Sequence, residues 1–457
     1  MSPVNGQETE TDYRPRDWSA AQKWAWLLVG GPICALWTLV LWLRVNQPQN
    51  RLNDFVQEWT SARNWWTGHP IYWDMDQSIA HYFNPTWKVL LNVNAHPPAS
   101  VLLVLPFGRL EFFTANWLWN WLSLALIAPT LWLLMRSRGL SFSAWSLLPI
   151  LTLILTSNSL AQQVNQGQLN LLLLFLLTWA WALQRDAFDG WAGALIGIAA
   201  AVKVFPAFLG LYFLMQRRWR GVLGVVIGFV AMNAVTGAVL GWQALHDYAV
   251  VVVPRVSEFR DFWSNASIAG FWSKAFEASS GHSIPIFHSP AFAKLMTLLT
   301  SGAVTVYTGW RSWKAQTLEQ RDAAFALTLV AMLLVSPITW DHYFLLLVPA
   351  AMIYWRWMTP TFFNGFTLLL LLVWVATIYP KHVWDATLPG DGELVFLPGQ
   401  TATIATPLQS VTWLAYQFYG LVLLFLFLVT RRIETQTTIN ARETSHASIE
   451  QQQPSVG

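Results

Sequence analysis

Residues 24–43 read WAWLLVGGPICALWTLVLWL, an apolar run without a charged side chain. A helix of this length crosses the hydrocarbon core of a bilayer. A polar segment with Arg14, Arg16 and Lys23 precedes the run, and residues 44–46 follow it without a small-residue cleavage site. We therefore predict an uncleaved membrane anchor rather than a signal peptide.

The composition of the whole chain agrees with a membrane protein. Hydrophobic residues make up 54% of it and charged residues 11%, whereas soluble domains carry roughly 25% charged residues. The 30 Trp and 27 Phe fit the aromatic belts of membrane interfaces. The one cysteine, Cys34, excludes an intrachain disulfide and a cysteine-built metal site. The net charge of +3 lies in short basic groups beside apolar runs, which indicates topology signals and no nucleic-acid partner.

Apolar runs of spanning length recur along the chain. They occupy about 114–135, 141–160, 168–184, 221–241, 290–310, 322–337, 343–357, 361–379 and 409–430. Only helices and closed barrels satisfy the backbone inside a bilayer. We therefore predict an all-α polytopic membrane protein with about 12 transmembrane helices.

Basic residues beside these runs predict the orientation, because Lys and Arg collect on the cytoplasmic side. The residues in question are Arg136, Arg138, Arg185, Arg217, Arg218, Arg220, Arg311, Lys314, Arg321, Arg356, Arg431 and Arg432. Both flanks of 190–216 are then inside, so this stretch is expected to form a short helical hairpin with Lys203 near its outer turn. Both chain ends are then cytoplasmic.

The runs also divide the chain. We predict a cytoplasmic tail at 1–22, a membrane-embedded domain at 23–431 and a disordered cytoplasmic tail at 432–457. Long outward segments lie at about 45–113, 242–289 and 380–408. The first of these contains stretches that suit helices lying at the membrane surface.

Polar residues are concentrated on the outward side. They are Asn53, Asp54, Glu58, Asp74, Asp76, His96, Asn165, Gln168, Asn170, Lys203, Asn265, Asp341 and His342. Carboxylates, amides and histidines on one face, with long loops around them, favour an enzyme that acts at that face. A transporter needs polar groups near the midplane of the bilayer, usually in repeated broken helices.

Two of the acidic positions have a chemical and a structural interpretation. Asp54 could take a proton from an incoming hydroxyl as a general base, or it could cap the helix that follows it. Asp74 and Asp76 form an Asp-x-Asp pair that could hold a divalent cation. The same two residues could instead cap a helix over Gln77–Phe83.

Lys203 is a lone ammonium inside an apolar hairpin, where a charge costs at least about 2.5 kcal/mol. A phosphate would compensate this charge, and the alternative is that the side chain snorkels to the lipid headgroups.

The remaining polar residues also have two interpretations each. The amides of Asn165, Gln168 and Asn170 suit sugar hydroxyls, or they cap a helix after Gly167. Asp341 and His342 could bind phosphate or act as an acid–base pair, or they form a local cap. His96 precedes two prolines, which also suits a structural role.

Several segments together resemble a known family. Asn53-Asp54-Phe55, Gly68-His-Pro-Ile-Tyr72 and His96-Pro97-Pro98 are similar to the first periplasmic loop of bacterial membrane glycosyltransferases of the GT-C fold. Downstream, the chain resembles glycosyltransferase family 87, whose members include polyprenyl-phosphate-mannose-dependent mannosyltransferases and arabinofuranosyltransferases. The downstream segments are Asn165–Asn170, Gly193–Pro206, Asn265–Gly270 and Ser336–Tyr343.

The resemblance implies a role for each matched residue. Asp54 is then the general base, and Lys203 lies near the phosphate of a polyprenyl-phosphate sugar donor. The acceptor is a glycan or glycolipid, and the residues expected to bind substrate are Glu58, His96, Asn165, Gln168, Asn170, Lys203, Asn265, Asp341 and His342. The Asp-x-Asp of some GT-C relatives does not carry over safely to Asp74 and Asp76, which leaves metal dependence open.

The sequence therefore predicts a GT-C-like enzyme of the bacterial inner membrane that is in contact with membrane lipids. It is expected to transfer a hexose, most simply mannose, at the periplasmic face with inversion. An arabinofuranosyltransferase of the same family is one alternative. A flippase for lipid-linked saccharides is the other, and it would leave its lipid covalently unchanged.

Overall fold

A computed structural model describes residues 19–47, 52–83, 93–137, 139–140, 142–278, 283–357 and 405–430. The expected span at 361–379, most of the outward segment 380–408 and the tails at 1–18 and 431–457 lie outside these residues. Within them the fold is helical, and the only pairing of β type is an isolated bridge between Ser283 and Ala405. The prediction of an all-α protein is confirmed for the described part of the chain.

The helices follow one another with short connections. In the first half they are α1 (Ala20–Ala25), α2 (Gly31–Asn46), α3 (Phe55–Trp66), α4 (Met75–Tyr82), α5 (Pro98–Val104), α6 (Phe112–Ala125), α7 (Ile127–Ser137), α8 (Ala144–Thr156), α9 (Asn158–Gln166), α10 (Asn170–Arg185) and α11 (Asp189–Val202). In the second half they are α12 (Gly210–Met215), α13 (Trp219–Leu240), α14 (Trp242–Asp247), α15 (Val253–Val256), α16 (Ile268–Phe276), α17 (Pro290–Lys314), α18 (Leu318–Val335), α19 (Val348–Trp357), α20 (Pro407–Val411) and α21 (Tyr416–Thr430).

Four helical stretches are long and apolar enough to cross a membrane. They are Lys23–Asn46, Phe112–Ser137, Trp219–Leu240 and Pro407–Thr430. A fifth arises if α8 and α9, which meet at a bend of 57°, form one broken span. The expected number of about 12 is therefore not confirmed, because several predicted spans are shorter apolar helices or lie outside the described residues.

Helix α18 runs through the centre of the bundle. Nearly every residue from Asp322 to Leu334 is buried, as expected for a helix that is apolar all round. Asp322 near its start is held by the indole N–H of Trp181 at 2.8 Å and by an ion pair with Arg185. This brace ties α18 to the end of α10.

The stretch from α11 to α12 forms the predicted hairpin. Helix α11 ends at Val202, Lys203 is extended, and a 3₁₀ turn over Phe205–Leu209 leads back into α12. At its base, Arg218 pairs with Asp189. Lys203 therefore lies at the tip of the hairpin, as predicted.

Small residues let α11 pack closely on α13. A Cβ added to Gly193 would lie 2.0 Å from the Gly221 carbonyl oxygen, and one on Gly228 would lie 2.2 Å from the Ala194 oxygen. Membrane helices associate in this way because glycine lets two backbones approach. The close packing fixes the direction of the hairpin and of Lys203 at its tip.

The segment after α2 carries three short helices beside the bundle. Asp74 accepts a hydrogen bond from the Gln77 N–H at 3.0 Å and caps α4, which begins at Met75. The capping interpretation of Asp74 is thereby confirmed. Helix α3 is buried along most of its length, and Gly108 allows the following turn to approach its backbone.

Candidate functional site

One cavity of about 790 Å³ opens where α3, α9, the hairpin tip and the turn before α19 converge. Its polar lining includes Asp54, His96, Gln168, Lys203, Asp341 and His342. Its apolar lining includes Phe205, Phe208, Val256, Phe259, Met332 and Val335. A cavity with one polar and one apolar part suits a ligand that joins a hydrophilic group to a hydrocarbon chain.

Asp54 directly precedes α3, yet its side chain does not cap that helix. Its Oδ2 instead accepts a hydrogen bond of 2.9 Å from the Gln168 amide nitrogen. Its backbone N–H donates to the Gln166 side chain at 3.4 Å. The carboxylate is therefore directed at the cavity, and the helix-cap interpretation of Asp54 is wrong.

Burial raises the pKa of the Asp54 carboxyl above its ordinary value. The positive charges of His342 and His96 oppose this shift, and so does the hydrogen bond from Gln168, because all three favour the ionised form. A raised pKa makes a carboxylate a better proton acceptor.

Lys203 reaches the same amide from the other side. Its ammonium donates to the Gln168 oxygen at 2.9 Å and lies 3.5 Å from the Tyr343 hydroxyl. It also stands over the Tyr343 ring, 4.5 Å from the centroid. Among the described residues no carboxylate lies within ion-pairing distance of this buried cation, although buried charges are normally paired.

Gly167 explains how Gln168 comes to lie between these two charges. Gly167 ends α9 in the left-handed conformation, with φ +64°. A Cβ there would lie 2.7 Å from both Phe55 and the Asn116 side chain, so the position requires glycine. The turn places Gln168 between Asp54 and the hairpin tip.

Asp341 and His342 begin the 3₁₀ turn that leads into α19. The Asp341 carboxylate accepts from the Asn158 amide at 2.8 Å and from the His342 backbone N–H at 2.8 Å. The His342 Nδ1 lies 3.3 Å from the same carboxylate, which orients the ring. Both residues line the cavity, so this pair belongs to the site as well as to the start of the turn.

His96 and Glu58 form a second pair. The His96 Nδ1 contacts the Glu58 carboxylate, which is 3% exposed. The Tyr72 hydroxyl donates to the His96 carbonyl at 2.7 Å. His96 lines the cavity, and Glu58 stands behind it and holds its ring.

The other predicted residues lie outside the cavity lining. Asn165 is exposed, and its carbonyl accepts from the Asn53 side chain at 2.8 Å. Asn170 is buried, and its side chain donates to Gln163 at 3.2 Å. Neither side chain caps α10, whose N-cap residue is Leu169.

Asn265 is a fully buried support for the wall. Its amide nitrogen donates to the Arg260 and Pro337 carbonyls at 2.8 and 3.0 Å. Its oxygen accepts from the backbone of Ser267 and Thr339 at 3.1 and 2.9 Å. Asn265 therefore connects two loops and positions the segment that leads to Asp341.

Some lining residues were not predicted. They include Gln57, Gln162, Tyr248, Ser336 and Tyr343. Two sequence signals indicate such positions: the phenol that directly follows His342, and amides four residues apart in a short helix. Gln57 gives no comparable signal, because its position depends on how α3 packs.

No group of three His, Cys, Asp or Glu side chains in the described part of the chain could hold a metal ion.

Helices that can span a membrane, together with a lipid-facing cavity that holds a buried carboxylate and a cation, define the class as an integral-membrane enzyme of group transfer. The family model for glycosyltransferase family 87 matches residues 94–337, more than half of the chain, and the protein belongs to that family.

Curated relatives are membrane-lipid glycosyltransferases by name. A polyprenol-phosphate-mannose-dependent alpha-(1-2)-phosphatidylinositol pentamannoside mannosyltransferase of Mycolicibacterium smegmatis is 25% identical over 71% of this chain and 77% of its own length. A phosphatidylinositol mannoside mannosyltransferase of the same organism is 25% identical over 70% of this chain and 75% of its own. An alpha-(1->3)-arabinofuranosyltransferase of Mycobacterium tuberculosis is 24% identical over 48% of each chain.

Proposed function

We propose that this enzyme transfers a mannosyl group from a polyprenyl monophosphate carrier to a glycan or glycolipid acceptor, with inversion. We further propose that residues 23–431 form one membrane domain of the bacterial inner membrane, with cytoplasmic tails at 1–22 and 432–457. The cavity then faces the periplasm. The names of the relatives support the donor, and the basic residues beside the apolar runs support the orientation.

The observation that carries the proposal is the chain of two hydrogen bonds from Asp54 through Gln168 to Lys203. It holds a proton acceptor and a cation side by side, next to an apolar wall. A sugar leaving a polyprenyl phosphate has a stabilised leaving group, so one base and one cation provide the chemistry that is needed.

The reaction is a single displacement. Asp54 removes the proton of the acceptor hydroxyl, whose oxygen attacks the anomeric carbon. The bond from that carbon to the phosphate oxygen breaks, and the charge that develops on the phosphate lies beside Lys203. Attack opposite the leaving group inverts the anomeric centre, as in single-displacement glycosidases.

The test uses purified full-length protein with polyprenyl-phosphate [¹⁴C]mannose and a glycolipid extract. We expect label to leave the polyprenyl phosphate and to appear in a product with the opposite anomeric configuration. Unchanged lipid that crosses the bilayer would instead indicate a flippase. The arabinofuranosyltransferase relative makes a polyprenyl-phosphate arabinofuranose the second donor to test.

A further inference from the structure

Helix α9 carries amides on one face, at Asn158, Gln162 and Gln166. Their spacing of four residues puts them above one another along the helix. We name these three residues the amide stripe. Gln162 and Gln166 line the cavity, and Asn158 extends the same face toward Asp341.

Each end of the amide stripe is bonded to a residue of the proposed site. Asn158 donates to the Asp341 carboxylate at 2.8 Å, and the Gln166 oxygen accepts from the Asp54 backbone N–H at 3.4 Å. Gln162 lies between them, and its amide has no hydrogen-bond partner among the described residues. A polar group in such a place is expected to have a partner in the ligand.

Gln57 adds a further amide from α3, one helical turn after Asp54. Its oxygen accepts from the Ala95 backbone N–H at 3.1 Å, which fixes the orientation of the amide. In Gln166 the bond from Asp54 fixes the orientation in the same way. Both residues line the cavity, and their NH₂ groups remain available as donors to a ligand.

We infer that Gln57, Gln162 and Gln166 bind the hydroxyls of a neutral sugar ring at the end of the acceptor. This inference rests on the proposed function, because the acceptor hydroxyl must lie at Asp54. Uncharged amides pair well with hydroxyls, which both donate and accept hydrogen bonds. The donor phosphate is expected at Lys203, on the other side of Gln168.

The experiment measures binding separately from turnover. The full chain in nanodiscs is titrated with octyl α-mannoside, a neutral acceptor probe, and the Kd is read by saturation-transfer NMR. In parallel, the KM for polyprenyl-phosphate [¹⁴C]mannose is measured. Gln162→Met is the decisive variant because it disturbs no hydrogen bond within the described protein.

We expect Gln162→Met to raise the Kd of the mannoside about 2- to 10-fold, the effect of one neutral hydrogen bond. The KM for the donor should stay the same. Gln57→Met and Gln166→Met should behave alike, with melting temperatures measured to detect the loss of their backbone partners. Gln243→Met, an exposed amide of α14 outside the cavity, is the matched control.

Three results would overturn the inference. They are a parent protein that does not bind the mannoside, a Kd within twofold of the parent in all three variants, and a rise confined to the donor KM. The last result would mean that the sugar of the donor occupies the amide stripe. A parent that binds the mannoside but leaves the donor intact contradicts the proposed function and not the stripe.

Discussion

Asp54 and Lys203 are hydrogen-bonded to opposite ends of one amide, that of Gln168. The carboxylate accepts from its nitrogen and the ammonium donates to its oxygen, each at 2.9 Å. The two charges are therefore held close together without forming a direct ion pair. Each keeps bonding capacity toward the cavity, which a direct pair would use up.

Asp54→Asn preserves the size of the side chain and removes its basicity. If Asp54 is the base, we expect transfer to fall by a factor on the order of 100 or more, with donor affinity retained. The measurement is single-turnover transfer from labelled donor at saturating protein. Asp76→Asn, an exposed carboxylate of the same loop, is the control and should transfer normally. Normal turnover in Asp54→Asn would exclude Asp54 as the base.

Gln168→Met tests the pKa of Asp54. Burial raises this pKa and the Gln168 hydrogen bond lowers it. Because the base must be ionised, transfer is lost as the pH falls through the pKa. Removing the hydrogen bond leaves the charged form less stable, so the acid-side midpoint of kcat/KM should move to higher pH. A midpoint that stays in place or moves to lower pH contradicts this assignment.

The local elements of the fold were largely predictable from the sequence. Apolar runs and basic flanks located the first span, α13 and the hairpin with Lys203 at its tip, since each depends on the chain near it. The number of spans was not predictable in this way. Helix α18 is apolar because it is buried by other helices, and hydropathy alone does not separate that environment from lipid.

The site was predictable in its residue types and less so in its contacts. Six of the ten predicted site residues line the cavity: Asp54, His96, Gln168, Lys203, Asp341 and His342. The bridge through Gln168 depends on the left-handed turn at Gly167 and on the meeting of segments far apart in sequence. Spacing along the chain contains no information about such a meeting, and Asn265 shows the converse, since its buried amide serves the backbone.

Gly193→Ala should destabilise the hairpin. The new Cβ would lie 2.0 Å from a backbone oxygen of α13, so one helix has to shift, and overpacking of this kind costs about 1–3 kcal/mol. We expect a lower melting temperature in detergent together with weaker transfer. Gly302→Ala in α17 meets nothing within 4 Å and should keep or slightly raise the melting temperature. Equal behaviour of the two variants contradicts the close packing.

Orientation is tested by thiol labelling in a background that lacks Cys34. Asp76 and Arg220 are both exposed, and we expect them on opposite sides of the membrane. In intact spheroplasts, Asp76→Cys should react with an impermeant maleimide, and Arg220→Cys should react only after permeabilisation. Labelling of Arg220→Cys from outside would place the base of the hairpin on the outer side.

Lys203→Met separates binding of phosphate from snorkelling. The substitution keeps the apolar stem and removes only the ammonium, so the fold should survive. Losing a charge-assisted contact to the donor phosphate should cost roughly 1.5–3 kcal/mol, or about 10- to 150-fold in kcat/KM for the donor. Lys203→Arg should restore part of this, because the charge returns with a different reach. If Lys203 only snorkels, both variants should transfer within twofold of the parent. The structure favours the first outcome, because the ammonium is buried at 3% exposure and directed at Gln168 and Tyr343.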